Sequence, residues 1–244
     1  MSRSVGDSPT SAVTYLSCSL RNLSGVRPTI TLTSPNPDPV FHEGPDGTLP
    51  STAPPRPEAP GAMRALTVPL PSGDTWTRAD YEALPEDLPA RVSLVHGKLV
   101  VNPRPRPIRR RVARRLATRI EDAAPDAWQV DTDVDVLLDD DEVEPVEIAP
   151  DIVVYSAEHD VYERPIPAGL VVLVAEVVPP STKRKEPALY AEAGIRHYWQ
   201  VETDQTAVHT YELDDATGGY VATGVHHDRI VVNVPFDLDV ELKR

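Results

Sequence analysis

Hydrophobic and polar positions along this chain change regime near residue 62. Before that point there is no sustained period of 2 or 3.6, and Pro-rich stretches such as SPNPDP and STAPPRPEAPGA recur. A segment of that kind buries too little apolar area to offset its chain entropy, so residues 1–62 are expected to be a disordered extension. Met63 opens MRALTVPLP, which reads like an ordinary protein start, and a domain is expected over residues 63–244.

From Thr75 the pattern becomes regular. Thr77 with Asp80 three residues on predicts a capped helix start. Val92–Val95 and Lys98–Val101 flank His96-Gly97, predicting a hairpin. Val112, Leu116 and Ile120 recur at helical spacing and predict a helix from about Ile108 to Ala123. Trp128 to Leu138 alternates throughout, predicting one strand with Val130, Thr132, Val134 and Val136 on one face. Its other face carries Asp131, Asp133 and Asp135, read as the exposed side of an edge strand protected by like charge. An acidic turn, Asp139 to Glu144, precedes two short apolar runs, Ile152–Tyr155 and Val171–Val178. Pro187–Ala193 predicts a short helix stopped by Gly194. His197–Val201, Ala207–Leu213, Tyr220–Val225 and Ile230–Val234 read as antiparallel strands. Together these give an α/β chain, a mixed sheet of about six to eight strands with a long helix before it and a short one after it.

Charge and composition narrow the function classes. Acids outnumber bases 38 to 24, for a formal charge of −14, so any nucleic-acid role needs a local basic patch. Lys98, Lys183, Lys185 and Lys243 are the only lysines, leaving arginine to carry most positive charge. One cysteine, Cys18, excludes an intrachain disulfide and fits a reducing cytoplasm. No apolar run reaches membrane-spanning length, and Ser11–Leu20 lacks the core of a signal peptide. A cytoplasmic protein without membrane partners is expected.

The candidate chemistry lies in the two apolar runs. Asp151 opens one, APDIVVY, and Glu176 interrupts the other, LVVLVAEVVPPST. An acid inside a buried strand must be paired, protonated or metal-bound, because its desolvation is otherwise too costly. Two such acids, followed by the turn Ser181-Thr182-Lys183-Arg184-Lys185, point to a Mg2+ or Mn2+ site beside a phosphate-binding patch. The same pattern also fits a structural arrangement in which Asp151 starts a strand, Glu176 pairs with an arginine and the basic run is a solvated loop.

The ordered blocks LVHGKLVVNPRPRP, APDIVVY, VAEVVPPST and LYAEAGIRHYW resemble the Uma-type (Uma-two) restriction endonucleases of bacteria, in the restriction-endonuclease-like superfamily named for its PD-(D/E)xK signature. The resemblance runs from about Thr75 to the C-terminus. It implies a restriction-endonuclease-like mixed β-sheet core flanked by helices and a Mg2+-dependent DNA endonuclease. Asp151 and Glu176 would hold the metal, with Lys185, or failing that Lys183, in the basic role. The position two after Glu176 is Val178 rather than lysine, and the family supplies its lysine from the next helix instead. Here the Ser181–Tyr190 segment is about four residues short, judged by that resemblance, and the lysine position falls on Glu186 or in the gap. Ser93 stands where a glutamate is common, and Arg109 where a histidine usually opens the long helix. These departures leave open a catalytically degenerate member that binds DNA or a protein partner.

Arg104, Arg106, Arg109, Arg110, Arg111, Arg114, Arg115 and Arg119 form a basic loop and helix with no intervening acid. Arg109, Arg110, Arg111, Arg114 and Arg115 are candidates for contact with a nucleic-acid backbone. Pairing of this face with the acidic segment Asp131–Glu147, near in sequence and complementary in charge, accounts for the run better. The arginine helix and acidic turn also suit self-association, and a homodimer is a candidate assembly. His209, His226 and His227 lack partners at zinc spacing, and no phosphate-cradling glycine loop is present.

Overall fold

The structure is a computed structural model and describes residues 14–15, 29–32, 66–69, 71, 73–85, 91–102, 105–179, 186–203 and 207–242. Its elements in chain order begin with β1 (Thr14–Tyr15), β2 (Thr29–Leu32), β3 (Leu66–Pro69), α1 (Arg78–Glu82), β4 (Arg91–Val95), β5 (Lys98–Asn102) and α2 (Pro107–Ala123). There follow β6 (Trp128–Asp131), β7 (Val136–Asp139), β8 (Val146–Ile148), β9 (Ile152–Ser156), β10 (Ile166–Pro167), β11 (Val171–Val178) and α3 (Glu186–Glu192). The chain ends through β12 (His197–Glu202), β13 (Val208–Asp214), β14 (Gly219–His226), β15 (Arg229–Val232) and β16 (Leu238–Glu241). Of the segment expected to be a disordered extension, β1 and β2 are described, and both are paired strands, β1 along β5 and β2 along β3. The rest of residues 1–62 lies outside the described residues.

Among the described residues the strands form two six-stranded sheets, ordered β1-β5-β4-β8-β7-β10 and β14-β13-β12-β11-β9-β6, and two two-stranded ones, β15-β16 and β2-β3, rather than the single sheet expected. The break falls inside Trp128–Leu138, read from its alternation as one strand. Asp133 takes φ 64, a left-handed conformation that ends β6 and turns the chain so that β7 joins the other sheet. The second sheet is mixed: β11 runs parallel to β12 and antiparallel to β9. Such central strands are buried on both faces, which explains their nearly unbroken apolar runs.

Each face of that sheet has its own core. Ile152, Val154, Leu173, Ala175 and Val177 pack with Ala113, Leu116, Ala117 and Ile120 of α2, so Leu116 and Ile120 of the predicted stripe are buried while Val112 is only partly so. Residues of opposite parity, Val153, Tyr155 and Val174, pack with Val136 of β7, Ile148 of β8, and Tyr190 and Ile195 at α3. Helix α3 ends as expected: Gly194 has φ 75, and the Ile195 N–H donates back to the Tyr190 carbonyl at 3.0 Å. The α1 start carries the anticipated capping box, with Thr77 and Asp80 each bonded to the other's backbone N–H. Among the described residues no helix is long and apolar enough to cross a membrane.

Candidate active site

Antiparallel register brings the two acids together. Ala175 on β11 faces Ile152 on β9, so the next positions outward are Glu176 and Asp151. Both side chains are buried, at 5% exposure for Asp151 and 4% for Glu176. Carboxylates held so close and so dry need donors or cations on every oxygen.

They have them. The Val177 N–H donates to Oδ2 of Asp151 at 2.7 Å, so this side chain also caps the ladder at the mouth of β9. The Tyr190 hydroxyl donates to Oε1 of Glu176 at 2.7 Å. Between the acids lies Arg109. Its Nε donates to Oδ1 and Oδ2 of Asp151 at 2.8 and 2.7 Å, and its Nη2 lies 2.7 Å from Asp151 Oδ2 and 3.0 Å from Glu176 Oε2. Such a charge-assisted fork is the geometry a guanidinium is built for. A second arginine, Arg91 at the start of β4, sits 3.8 Å from Asp151 Oδ1 and 3.1 Å from Asp133 Oδ1.

The expected nucleic-acid set therefore splits. Arg109 turns inward onto the acid pair instead of lying with the others. Arg110 stays outside, 3.9 Å from Asp133, while Arg111, Arg114 and Arg115 are exposed and make no ion pair among the described residues. Position explains the split: Arg109 lies in the first turn of α2, over the strand ends, and the later arginines face away from the apolar stripe. Lys183 and Lys185 lie outside the described residues. Ser93 is buried on β4. The aspartate ladder does not exist as one exposed face. Asp131 accepts from the Tyr155 hydroxyl at 2.6 Å, Asp133 pairs with Arg91, and burial raises the pKa of Asp135 from its ordinary value. Sequence reasoning missed Arg91, which no motif marks. It also missed the role of Tyr190, although Tyr190 stands inside the block LYAEAG.

The donor set can be tested against the divalent ion that the sequence suggests. Two carboxylates are the hard oxygen ligands such an ion takes. Yet each of their four oxygens already accepts from the protein. No cluster of three or more His, Cys, Asp or Glu suited to a metal occurs among the described residues. Arg109 thus occupies carboxylate oxygens that a divalent ion would take.

Comparison with known proteins places the chain in a family. The Uma2 family model, described as "Putative restriction endonuclease", matches residues 78–243. The chain belongs to the Uma2 family. Among solved structures, a "putative nuclease" from Anabaena variabilis matches this Uma2 protein with a TM-score of 0.51 at 17% identity. The match covers 68% of this chain and 94% of the other. That likeness is one of fold, and it agrees with the restriction-endonuclease-like α/β architecture. No curated protein matches the Uma2 chain.

Proposed function

We propose that this protein acts on DNA as an endonuclease that hydrolyses phosphodiester bonds with Mg2+ or Mn2+ held by Asp151 and Glu176. The observation that carries this is the meeting of two buried acids at the N-terminal end of an arginine-rich helix in a nuclease-family fold. The ion, when bound, would activate a water and stabilise charge on the phosphodiester. Exposed Arg111, Arg114 and Arg115 hold the backbone along α2, and Arg91 stands within reach of a phosphate brought to Asp151. Lys185, or Lys183 in its place, supplies the basic group. The nuclease unit is the domain over residues 63–244, it works in the cytoplasm, and its assembly is a homodimer.

The test is plasmid cleavage by the full chain with Mg2+ or Mn2+, beside Asp151→Asn and Glu176→Gln. Cleavage by the parent and loss in both variants is expected. Equal cutting by either variant would overturn the site assignment.

A second reading is favoured by Arg109, whose guanidinium takes up the acid pair. In it the protein is a non-cleaving member of the fold that binds DNA or a protein partner. Salt-dependent DNA binding with no cleavage at any ion concentration would select it.

A further inference from the structure

We infer that Arg109 is the resident cation of the Asp151–Glu176 pair, and that a divalent ion binds there only by displacing it. This rests on reading the pair as the ion-holding one. It goes further by assigning this chain's weak point for metal binding to one side chain.

Arg109 has no local reason to sit where it does. The N-cap of α2, Arg106, makes no side-chain cap, and the first turn contains no acidic residue. A cation in the first turn opposes the helix dipole, and Arg110 and Arg111 directly behind it add like charge. What holds the guanidinium is tertiary. It contacts both Asp151 oxygens and one oxygen of Glu176, and its side chain is only 20% exposed.

Removing this one positive charge would leave two carboxylates that are about 95% buried and adjacent in register, with Arg91 standing 3.8 Å from Asp151. Their mutual repulsion must then be relieved by a proton or by another cation. A small divalent ion with hard oxygen preference is the species best suited to two converging carboxylates. Arg109 and the ion thus compete for the same oxygens, and the arginine, being covalently attached, competes at every ion concentration.

The experiment is calorimetric titration of Mn2+ into the full chain, the Arg109→Ala and Arg109→Gln variants, and Arg109→Ala combined with Asp151→Asn. Thermal unfolding of each with and without Mn2+ runs beside it. Both single variants are expected to bind Mn2+ at least tenfold more tightly than the parent, and the added Asp151→Asn change to abolish that gain. If Arg109→Ala is too unstable to titrate, Arg109→Gln keeps side-chain hydrogen bonding without charge. In both variants Mn2+ should raise the unfolding temperature further, at equal concentration, than it does in the parent. Equal Mn2+ affinity in parent and single variants would overturn the inference, as would a gain that survives Asp151→Asn. Tight Mn2+ binding by the variants without plasmid cleavage would sink the nuclease reading and leave the exchange standing. Cleavage by the parent at an affinity that Arg109→Ala does not improve would do the reverse.

Discussion

The Tyr190 hydroxyl on α3 donates to Oε1 of Glu176 on β11 at 2.7 Å, in a wholly buried contact. It ties α3, which follows Ser181–Lys185 in the chain, to the acid pair itself. A hydrogen bond to a charged group contributes about 1.5–3 kcal/mol. Tyr190→Phe should therefore lower stability by roughly that amount in urea denaturation. An unchanged midpoint would show that Glu176 is held without it.

Arg111, Arg114 and Arg115 face solvent along α2 and make no ion pair among the described residues. Replacing all three with alanine should weaken DNA binding and reduce the slope of log affinity against log salt by about 2–3. Circular dichroism should stay unchanged, because alanine favours helix and the buried stripe is untouched. If affinity and slope do not move, α2 is not the nucleic-acid face.

The His96-Gly97 turn leaves no room for a side chain. His96 has φ 48 and Gly97 has φ 66, and a Cβ on Gly97 would meet the Val143 carbonyl oxygen at 2.8 Å. That oxygen is backbone and cannot swing aside. Gly97→Ala should cost about 1–3 kcal/mol, from left-handed strain and the clash together. Thermal unfolding of the variant gives the measurement, and a cost near zero would show that the β4–β5 hairpin can shift.

Glu147 on β8 is 4% exposed and lies 3.5 Å from Arg78 Nε. Burial, reinforced by nearby Asp135, pushes its pKa up to about 7 from an ordinary 4.5. The folded state therefore binds the proton more tightly than the unfolded chain. Its contribution to stability is full below about 4.5 and is lost as pH rises through about 7. Glu147→Gln should be more stable than the parent at pH 8 by roughly 1–3 kcal/mol, with the difference shrinking toward acid pH. Urea denaturation across that range checks it, and a variant less stable at pH 8 would show that the Arg78 pair outweighs burial.

Local pattern carried much of this fold. The Thr77–Asp80 cap, the hairpin at His96-Gly97, the α2 stripe and the Gly194 stop each depend on neighbours within a few residues, so the chain spells them out directly. The acids Asp151 and Glu176 were visible for a similar reason: each interrupts a run that is otherwise apolar on both faces. Alternation failed at Trp128–Leu138, because the dihedral angles of Asp133 leave no mark on hydropathy.

What the chain could not show was which charges meet. That Asp151 and Glu176 lie side by side depends on the antiparallel register of β9 and β11, set by packing far along both strands. Helical phase separates the apolar stripe of α2 from its basic side, but it does not say that the first-turn Arg109 overhangs the strand ends. The same is true of Arg91, brought beside Asp151 from a strand of the other sheet. By itself the sequence determined the elements that local signals encode and the presence of two acids within apolar runs. Only the tertiary structure decided that an arginine stands between them, because a buried charge takes its partner from whatever the fold brings within a few ångströms.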